Sequence, residues 1–207
     1  MDIGPLKQRW MCLFQQVADA SYLSTNFDKL VEHYTEPHRY YHTPRHIAMC
    51  LHGFDQVKNQ VSDPFCVECA LWFHDIIYNP KKQNNEYLSA RYARSFLAQT
   101  TITEEQIEKI KHLIELTQHP ACPKTDDEKY LVDIDLMILG SEPKIYAQYE
   151  QWIRKEYAFV PNFFYKRGRK KLLTSFIKQN SIYSTYFFRK QLEKQARENL
   201  EQALNHL

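Results

Sequence analysis

Glycine is scarce in this chain: only four of its 207 residues are glycine. Proteins rich in β-strands need many tight turns, and glycine adopts the backbone angles of such turns most easily. A β-sandwich or β-barrel is therefore disfavoured. Apolar residues instead recur at the helical period over long stretches, which predicts an all-α fold.

Cysteines are few and do not form a disulfide framework. The chain has five, at positions 12, 50, 66, 69 and 122, and an odd number disfavours a disulfide-stapled secreted fold. Cys66 and Cys69 have the spacing of half a zinc site, but no second pair accompanies them. We therefore interpret both as small core residues and expect reduced thiols.

Long apolar runs and a strong net charge are also missing. No stretch reaches the roughly eighteen apolar residues of a membrane span, and the N-terminus lacks the features of a signal peptide. Lys and Arg total 27 against 25 Asp and Glu, a formal charge of +2. We therefore expect a soluble, cytoplasmic protein with no membrane partner and no obligate nucleic-acid partner.

No linker, repeat or low-complexity tract interrupts the chain, so we predict a single domain over residues 1–207. We expect its core over about residues 27–140 and a C-terminal helical extension over about 141–207. The central helix of this core is predicted from Phe65 to about Tyr78. It is apolar on nearly all sides, so it should be the most buried helix.

A histidine and an aspartate lie side by side in this central helix. His74 and Asp75 belong to the run Cys69–Tyr78, which is otherwise almost wholly apolar. A buried carboxylate without a partner costs several kcal/mol or takes up a proton. We therefore expect Asp75 to be paired or to bind a metal, with ligands from other elements completing the site.

Two other predicted helices bring ionisable residues toward the interior. His46 lies one turn into a helix that begins at Pro44, and it borders the buried stripe of that helix. Asp133 and Asp135 are embedded in a second strongly apolar run, Leu131–Leu139. These positions make a shared polar site possible.

Two imidazoles and two carboxylates would neutralise one divalent cation and leave positions for a water and a phosphate oxygen. The residues in question are His46, His74, Asp75 and Asp135. Mixed nitrogen and oxygen ligands suit Mn, Fe, Co, Ni or Zn better than Mg, and the identity of the metal stays open. The alternative for each residue is a buried, hydrogen-bonded histidine or a paired aspartate.

This order of residues in an all-helical chain resembles the HD-domain metal-dependent phosphohydrolases. The wider motifs resemble one bacterial subgroup of predicted HD-superfamily phosphohydrolases over nearly the whole chain. They are Tyr41-His42-Thr43-x-x-His46-Ile47, Phe73-His74-Asp75-x-x-Tyr78, Asn85-Glu86-x-x-Ser89-Ala90, Asp133-x-Asp135-Leu136-x-Ile138-Leu139-Gly140, Arg154-x-Glu156-Tyr157 and Ala196-Arg197-x-Asn199-Leu200. The resemblance implies an HD-type helical bundle and hydrolysis of a phosphoester or phosphoanhydride, but it does not supply a substrate.

The resemblance also implies roles for particular residues. It makes His46, His74, Asp75 and Asp135 the metal ligands, with Asp135 preferred over Asp133 as the last of them. Glu86, at the start of the next helix, is either a catalytic group that polarises water or the leaving group, or a favourable charge at a helix N-terminus.

Some HD proteins bind a second metal through further histidines between the doublet and the last aspartate. Only His112 and His119 are candidates here, and His112 falls on the polar side of its helix. We therefore predict one metal. His119 is either a substrate contact or a structural residue.

Substrate contacts are expected from basic residues near the ligands and from a later basic run. His42 and Arg45 lie beside His46, and Arg167 and Arg169 belong to a run that could meet a phosphate or form a solvated face.

The leading hypothesis is thus a hydrolase that acts on a small phosphorylated molecule, with nucleotides as the expected class. The alternatives are a nucleotide-binding regulatory module without turnover and a helical interaction protein with a structural metal. A homodimer through the aromatic C-terminal helices stays open.

Overall fold

A computed structural model describes residues 2–118 and 120–207, and these residues form ten α-helices and no β-strand. The predicted all-α class is confirmed. By the contacts within it, the chain divides into two compact units, Met1–Cys122 and Pro123–Leu207. The helix that carries Asp135 thus groups with the C-terminal helices rather than with the expected core. The expectation of a single domain stays a prediction.

Proline and short polar side chains begin most helices of the first unit. Asp19, Asp63 and Thr103 accept hydrogen bonds from the first turns of their helices, and Pro5, Pro44 and Pro64 occupy first-turn positions where no amide donor is needed. The helices are α1 (Gly4–Phe14), α2 (Ala20–Tyr34), α3 (Pro44–Val57, followed by a 3-10 turn Lys58–Gln60), α4 (Pro64–Phe73), α5 (Asn85–Leu97) and α6 (Glu104–Leu116).

Aromatic side chains form the core of the first unit around Trp10. The ring is fully buried, and its indole N–H donates to the Leu23 carbonyl at 3.0 Å. Aromatic rings surround it with centroids 4.5 to 6.2 Å away, in tilted and edge-to-face arrangements; they belong to Phe14, Phe27, Trp72, Phe73 and Phe96. Such contacts contribute beyond the area they bury, so α1 is bound firmly to α2, α4 and α5.

The central helix α4 is shorter than predicted, because it ends at Phe73 instead of about Tyr78. Side chains from other elements bind the backbone groups that follow it. Arg39 donates to the carbonyls of Asp75 and Ile76, and Ser89 bonds the backbone of Ile77. These bonds replace the helical ladder. The His74–Asp75 doublet therefore lies in a turn and not within a helix.

Asp63 is the N-cap of α4, and its environment predicts a small contribution to the free energy of unfolding that depends on pH. Burial raises its pKa, but hydrogen bonds from Cys66 and the charge of Lys109 outweigh burial and hold the pKa below its ordinary value of 3.8. The stabilisation is therefore complete above pH 3.8 and is lost as the pH falls through the lowered pKa. We expect Asp63→Ala to cost about 1 kcal/mol at neutral pH in denaturant unfolding.

The same measurement in acid tests the charge of Asp63. The difference in free energy of unfolding between the wild type and Asp63→Ala should shrink as the pH falls below 3.8, because protonation removes the charge of the Asp63 cap in the wild type. Asp63→Asn is the matched control, since asparagine caps about as well but has no charge. A difference that is independent of pH would contradict the role of the charge.

The second unit contains the remaining helices and a 3-10 segment. Thr125 begins its first helix with a capping box, and Thr185 caps its last. The elements are α7 (Asp126–Asp135, continued by the 3-10 segment Leu136–Gly140), α8 (Pro143–Glu156), α9 (Asn162–Ile177) and α10 (Tyr186–His206). Within this unit α10 packs against the 3-10 segment, α8 and α9.

Gly140 ends the 3-10 segment where it passes very close to α10. A Cβ atom at Gly140 would lie 2.6 Å from Leu192 Cβ and 2.9 Å from the Leu192 carbonyl oxygen. Glycine is thus required here by the close approach of α10. The left-handed backbone of the usual helix-closing glycine plays no part.

A bilayer-spanning helix needs both length and apolar character. No helix among the described residues combines them.

Candidate metal centre

Two buried histidines converge in the first unit. His46 is in the first turn of α3, and His74 is the C-cap of α4. Both residues are buried, with 2% and 1% of their surface exposed to solvent. The Nε2 atoms of the two rings lie 3.0 Å apart. Burial of two imidazoles with their nitrogen atoms facing each other is the arrangement expected of ligands that share one cation or one proton.

The carboxylate of Asp75 completes a triangle of donor atoms. Its Oδ2 lies 3.1 Å from His74 Nε2 and 3.4 Å from His46 Nε2. Ligand atoms about 2.1 Å from one cation are separated by about 3.0 Å in octahedral and about 3.4 Å in tetrahedral geometry. The three edges therefore match neighbouring ligands of a single divalent cation.

The backbone fixes which nitrogen of His74 faces the triangle. His74 Nδ1 lies 3.0 Å from the Leu71 carbonyl, which can only accept, so Nδ1 carries the proton in the neutral ring. Nε2 then has the free lone pair that a metal needs. A hydrogen bond from the second ring nitrogen to a carbonyl is typical of histidines that bind metals.

Asp75 is held in its ionised form. Burial opposes ionisation, but the charges of His74 and His42, together with hydrogen bonds from His46 and His74, outweigh burial and hold the pKa of Asp75 well below its ordinary value. An ionised carboxylate beside imidazole nitrogens favours positive charge at this point, whether a proton or a metal cation supplies it.

The turn that contains the doublet is held in place from three sides. The Tyr34 hydroxyl of α2 donates to the Trp72 carbonyl at 3.1 Å and accepts from the Asp75 amide at 3.2 Å. Arg39 donates to the Asp75 carbonyl at 2.6 Å, and Ser89 of α5 bonds both backbone groups of Ile77. The backbone of Asp75 is thus held by side chains from other elements, which limits where its carboxylate can lie.

Cys50 is a further donor near the two histidines, and the sequence motifs did not single it out as a ligand. One ligand atom each from His46, Cys50 and His74 lies within 4.8 Å of the others, and all three residues are buried. The thiol sulfur is 3.7 Å from both ring nitrogens of His46, one helical turn away. The spacing of four residues from His46 is the sequence feature that could have identified Cys50 as a neighbour of this ligand.

Predicted substrate contacts of the first unit lie in different settings. His42 is half-buried, its Nε2 is 4.0 Å from Asp75 Oδ2, and its ring stacks on Tyr78 with centroids 4.0 Å apart. Arg45 is exposed beside His46, and Glu86 is half-buried in the first turn of α5. The structure thus brings His42 to the donor triangle, and both interpretations of Glu86 stay open.

His112 and His119 are the two candidate ligands for a second metal. His112 is exposed on α6, as its polar surroundings in the sequence indicate. His119 lies outside the described residues.

Asp133 and Asp135 lie in the second unit, near the end of α7. Asp133 is buried, and its carboxylate accepts hydrogen bonds from the Ser184 amide, the Thr185 amide and the Thr185 hydroxyl at 2.7 to 2.8 Å. Burial raises its pKa despite these bonds. Asp133 therefore holds Ser184 and Thr185, the two residues before α10, and so positions the Thr185 cap of that helix. Asp135 is half-buried at the last position of α7.

The two arginines of the later basic run differ in environment. Arg169 is buried in the second unit and donates through Nε and Nη2 to the two oxygens of Glu150. Its guanidinium also lies over the Tyr149 ring, 5.3 Å from the centroid. These contacts occupy the phosphate-binding fork of Arg169. Arg167, in contrast, is exposed on α9.

Fold and site together define a class: an all-helical protein with buried histidine and cysteine side chains, and the carboxylate of Asp75 beside them, that can hold a metal ion. In comparisons with known proteins, no family model, no curated protein and no solved structure matches the chain.

Proposed function

We propose that this protein is a metal-dependent phosphohydrolase of the HD type that cleaves a phosphoester or phosphoanhydride bond, with nucleotides as its substrate class. One observation carries the proposal: His46 Nε2, His74 Nε2 and Asp75 Oδ2 form a triangle with edges of 3.0 to 3.4 Å. The resemblance of the surrounding motifs to HD-domain phosphohydrolases supports the reaction class.

The proposed ligands in the first unit are His46, His74 and Asp75, and the resemblance to HD-domain phosphohydrolases implies Asp135 as a further ligand. Asp135 is preferred to Asp133 because the carboxylate of Asp133 already accepts three hydrogen bonds. This donor set suits Mn, Fe, Co, Ni or Zn better than Mg. When bound, such a cation would acidify a water molecule and offset the charge of a phosphate.

The protein's own side chains orient the site and handle protons. Tyr34 and Arg39 hold the backbone of Asp75, which fixes the carboxylate relative to both imidazoles. His42 faces Asp75 and is supported by the Tyr78 ring, so it is placed to donate a hydrogen bond to a phosphate oxygen. Arg45 offers a positive charge beside His46, and Glu86 is proposed to polarise the attacking water or the leaving group.

Turnover distinguishes this proposal from a nucleotide-binding module. The purified protein is loaded with Mn²⁺, Co²⁺, Zn²⁺ or Mg²⁺ and incubated with nucleoside mono-, di- and triphosphates, and released phosphate and pyrophosphate are measured. We expect wild-type turnover to fall at least about 100-fold in Asp75→Asn, which keeps the side-chain shape but removes the charge.

His52→Ala is the matched control, because His52 is an exposed histidine on the same helix as His46. It should turn over at the wild-type rate. Wild-type protein that binds metal and nucleotide but is no faster than Asp75→Asn with every metal would establish the module without turnover instead.

A further inference from the structure

The outward face of α9 is unusually basic. The helix Asn162–Ile177 contains no Asp or Glu. Its five cations are Lys166, Arg167, Arg169, Lys170 and Lys171. Among the described residues, Arg167, Lys170 and Lys171 are exposed and form no ion pair. Positive charge thus accumulates on one face without internal neutralisation.

Two large apolar side chains accompany these cations. Phe163 and Phe164 occupy the first turn of α9 and are 71% and 61% exposed. The helical step places Phe163 on the same side as Arg167 and Lys170, and Phe164 on the same side as Arg167 and Lys171. Two adjacent phenyl rings in water lose the free energy that their burial would supply. Single exposed apolar residues are common, but a contiguous exposed apolar patch often marks an interaction site.

The opposite face of α9 fixes this orientation. Leu173 and Phe176 are buried in the second unit, and Arg169 is bound by Glu150 through two hydrogen bonds. The helix therefore cannot rotate to bury its phenylalanines without breaking these contacts. The exposed rings and cations belong to the folded second unit rather than to a loose segment.

We propose that the surface formed by Phe163, Phe164, Arg167, Lys170 and Lys171, the α9 surface, docks on anionic phospholipid membranes. Helices that lie in the membrane interface pair aromatic or leucine side chains, which enter the acyl boundary, with Lys and Arg, which meet anionic headgroups. Such peripheral docking needs no spanning segment. The proposal therefore departs from the expectation of no membrane partner, which rested on the lack of a long apolar run.

The geometry of the two rings favours lipid over single-stranded nucleic acid. Nucleic-acid platforms present flat ring faces on which bases stack. The rings of Phe163 and Phe164 instead meet edge to face, with centroids 5.5 Å apart and planes 77° apart. This arrangement offers an apolar wedge rather than two parallel stacking faces.

Vesicle co-sedimentation of the full chain tests the proposal. We expect the protein to sediment with vesicles of equal parts phosphatidylglycerol and phosphatidylcholine, and not with phosphatidylcholine alone. Added salt should weaken binding because the cations contribute through screened electrostatics. Phe163→Ser with Phe164→Ser, and separately Lys170→Glu with Lys171→Glu, should each lower the vesicle partition coefficient at least about tenfold.

Matched controls separate the surface from general charge and exposure. Tyr186→Ser removes another exposed aromatic, and Lys190→Glu with Lys194→Glu reverses two exposed charges on α10. Both should bind vesicles like the wild type, and circular dichroism checks that every variant is folded.

Several results would overturn the proposal. They are equal binding to both vesicle types, loss of binding in the α10 controls, or unchanged binding in folded variants of the α9 surface. Retention of single-stranded RNA in a gel, lost in the α9 variants and accompanied by no vesicle binding, would identify a nucleic-acid surface instead.

Discussion

Replacing His74 with alanine is expected to abolish stoichiometric binding of a divalent cation, lowering its affinity by more than about 100-fold. His74 Nε2 is the corner of the donor triangle that lies 3.0 Å from His46 Nε2 and 3.1 Å from Asp75 Oδ2. Its other nitrogen faces the Leu71 carbonyl, so it cannot act as a substitute ligand. Isothermal titration with Co²⁺ and Zn²⁺, together with elemental analysis, measures the loss.

The alanine variant also removes a buried ring, so a bulkier variant is needed beside it. His74→Gln fills more of the space but lacks an imidazole, and it should also fail to bind metal while unfolding at a similar denaturant concentration to the wild type. His112→Ala, which truncates an exposed histidine, should bind metal normally. Undiminished affinity in folded His74→Gln would refute the assignment of His74 as a ligand.

Replacing Asp133 with alanine should destabilise the second unit by about 3 kcal/mol or more. The variant leaves three donors without their acceptor: the amides of Ser184 and Thr185 and the hydroxyl of Thr185. Hydrogen bonds to a charged group are the stronger kind, and buried donors that lose their acceptor cost their full desolvation. Denaturant unfolding followed by circular dichroism measures the change.

Two variants of the same helix make this measurement specific. Asp133→Asn keeps one acceptor oxygen, so it should lower the free energy of unfolding by less than Asp133→Ala does. Asp126→Ala truncates an exposed aspartate whose ion pair with Lys129 joins neighbouring turns, and it should change stability by less than about 0.5 kcal/mol. Equal effects of Asp133→Ala and Asp126→Ala would contradict the role of Asp133 in holding Ser184 and Thr185 before α10.

The histidines of the site were predictable from the sequence because polar groups in apolar surroundings need partners. His74 and Asp75 interrupt an apolar run, and His46 borders a buried stripe, so each residue had to face the interior. The helical period that defines those surroundings is local. It therefore remains visible in the sequence without any knowledge of the packing.

The turn that presents the doublet was not predictable in this way. The apolar pattern continues to Tyr78, and it predicted a helix to that point. The helix ends at Phe73 because Tyr34, Arg39 and Ser89, all distant in sequence, bind the backbone of the turn. Competition between a local helical ladder and such long-range hydrogen bonds is decided only when the elements are packed.

Two pairs of identical residues with similar sequence surroundings have different environments in the folded structure. Asp133 and Asp135 lie in the same apolar run, yet Asp133 is buried and accepts hydrogen bonds from Ser184 and Thr185, whereas Asp135 is half-buried at the end of α7. Arg167 and Arg169 belong to one basic run, yet Arg169 is buried against Glu150 while Arg167 is exposed. Composition treats the members of each pair alike, because their difference arises from which face of a helix meets a neighbour.

The sequence by itself determined the all-α class, the helical periodicity and the interior placement of His46, His74 and Asp75, since burial preference and helical period depend on local composition. Tertiary structure alone decided that three donor atoms meet within 3.4 Å, that Cys50 lies beside them and that α9 turns its phenylalanines outward. Distances between side chains of different helices depend on packing and on long-range hydrogen bonds, which no local pattern encodes.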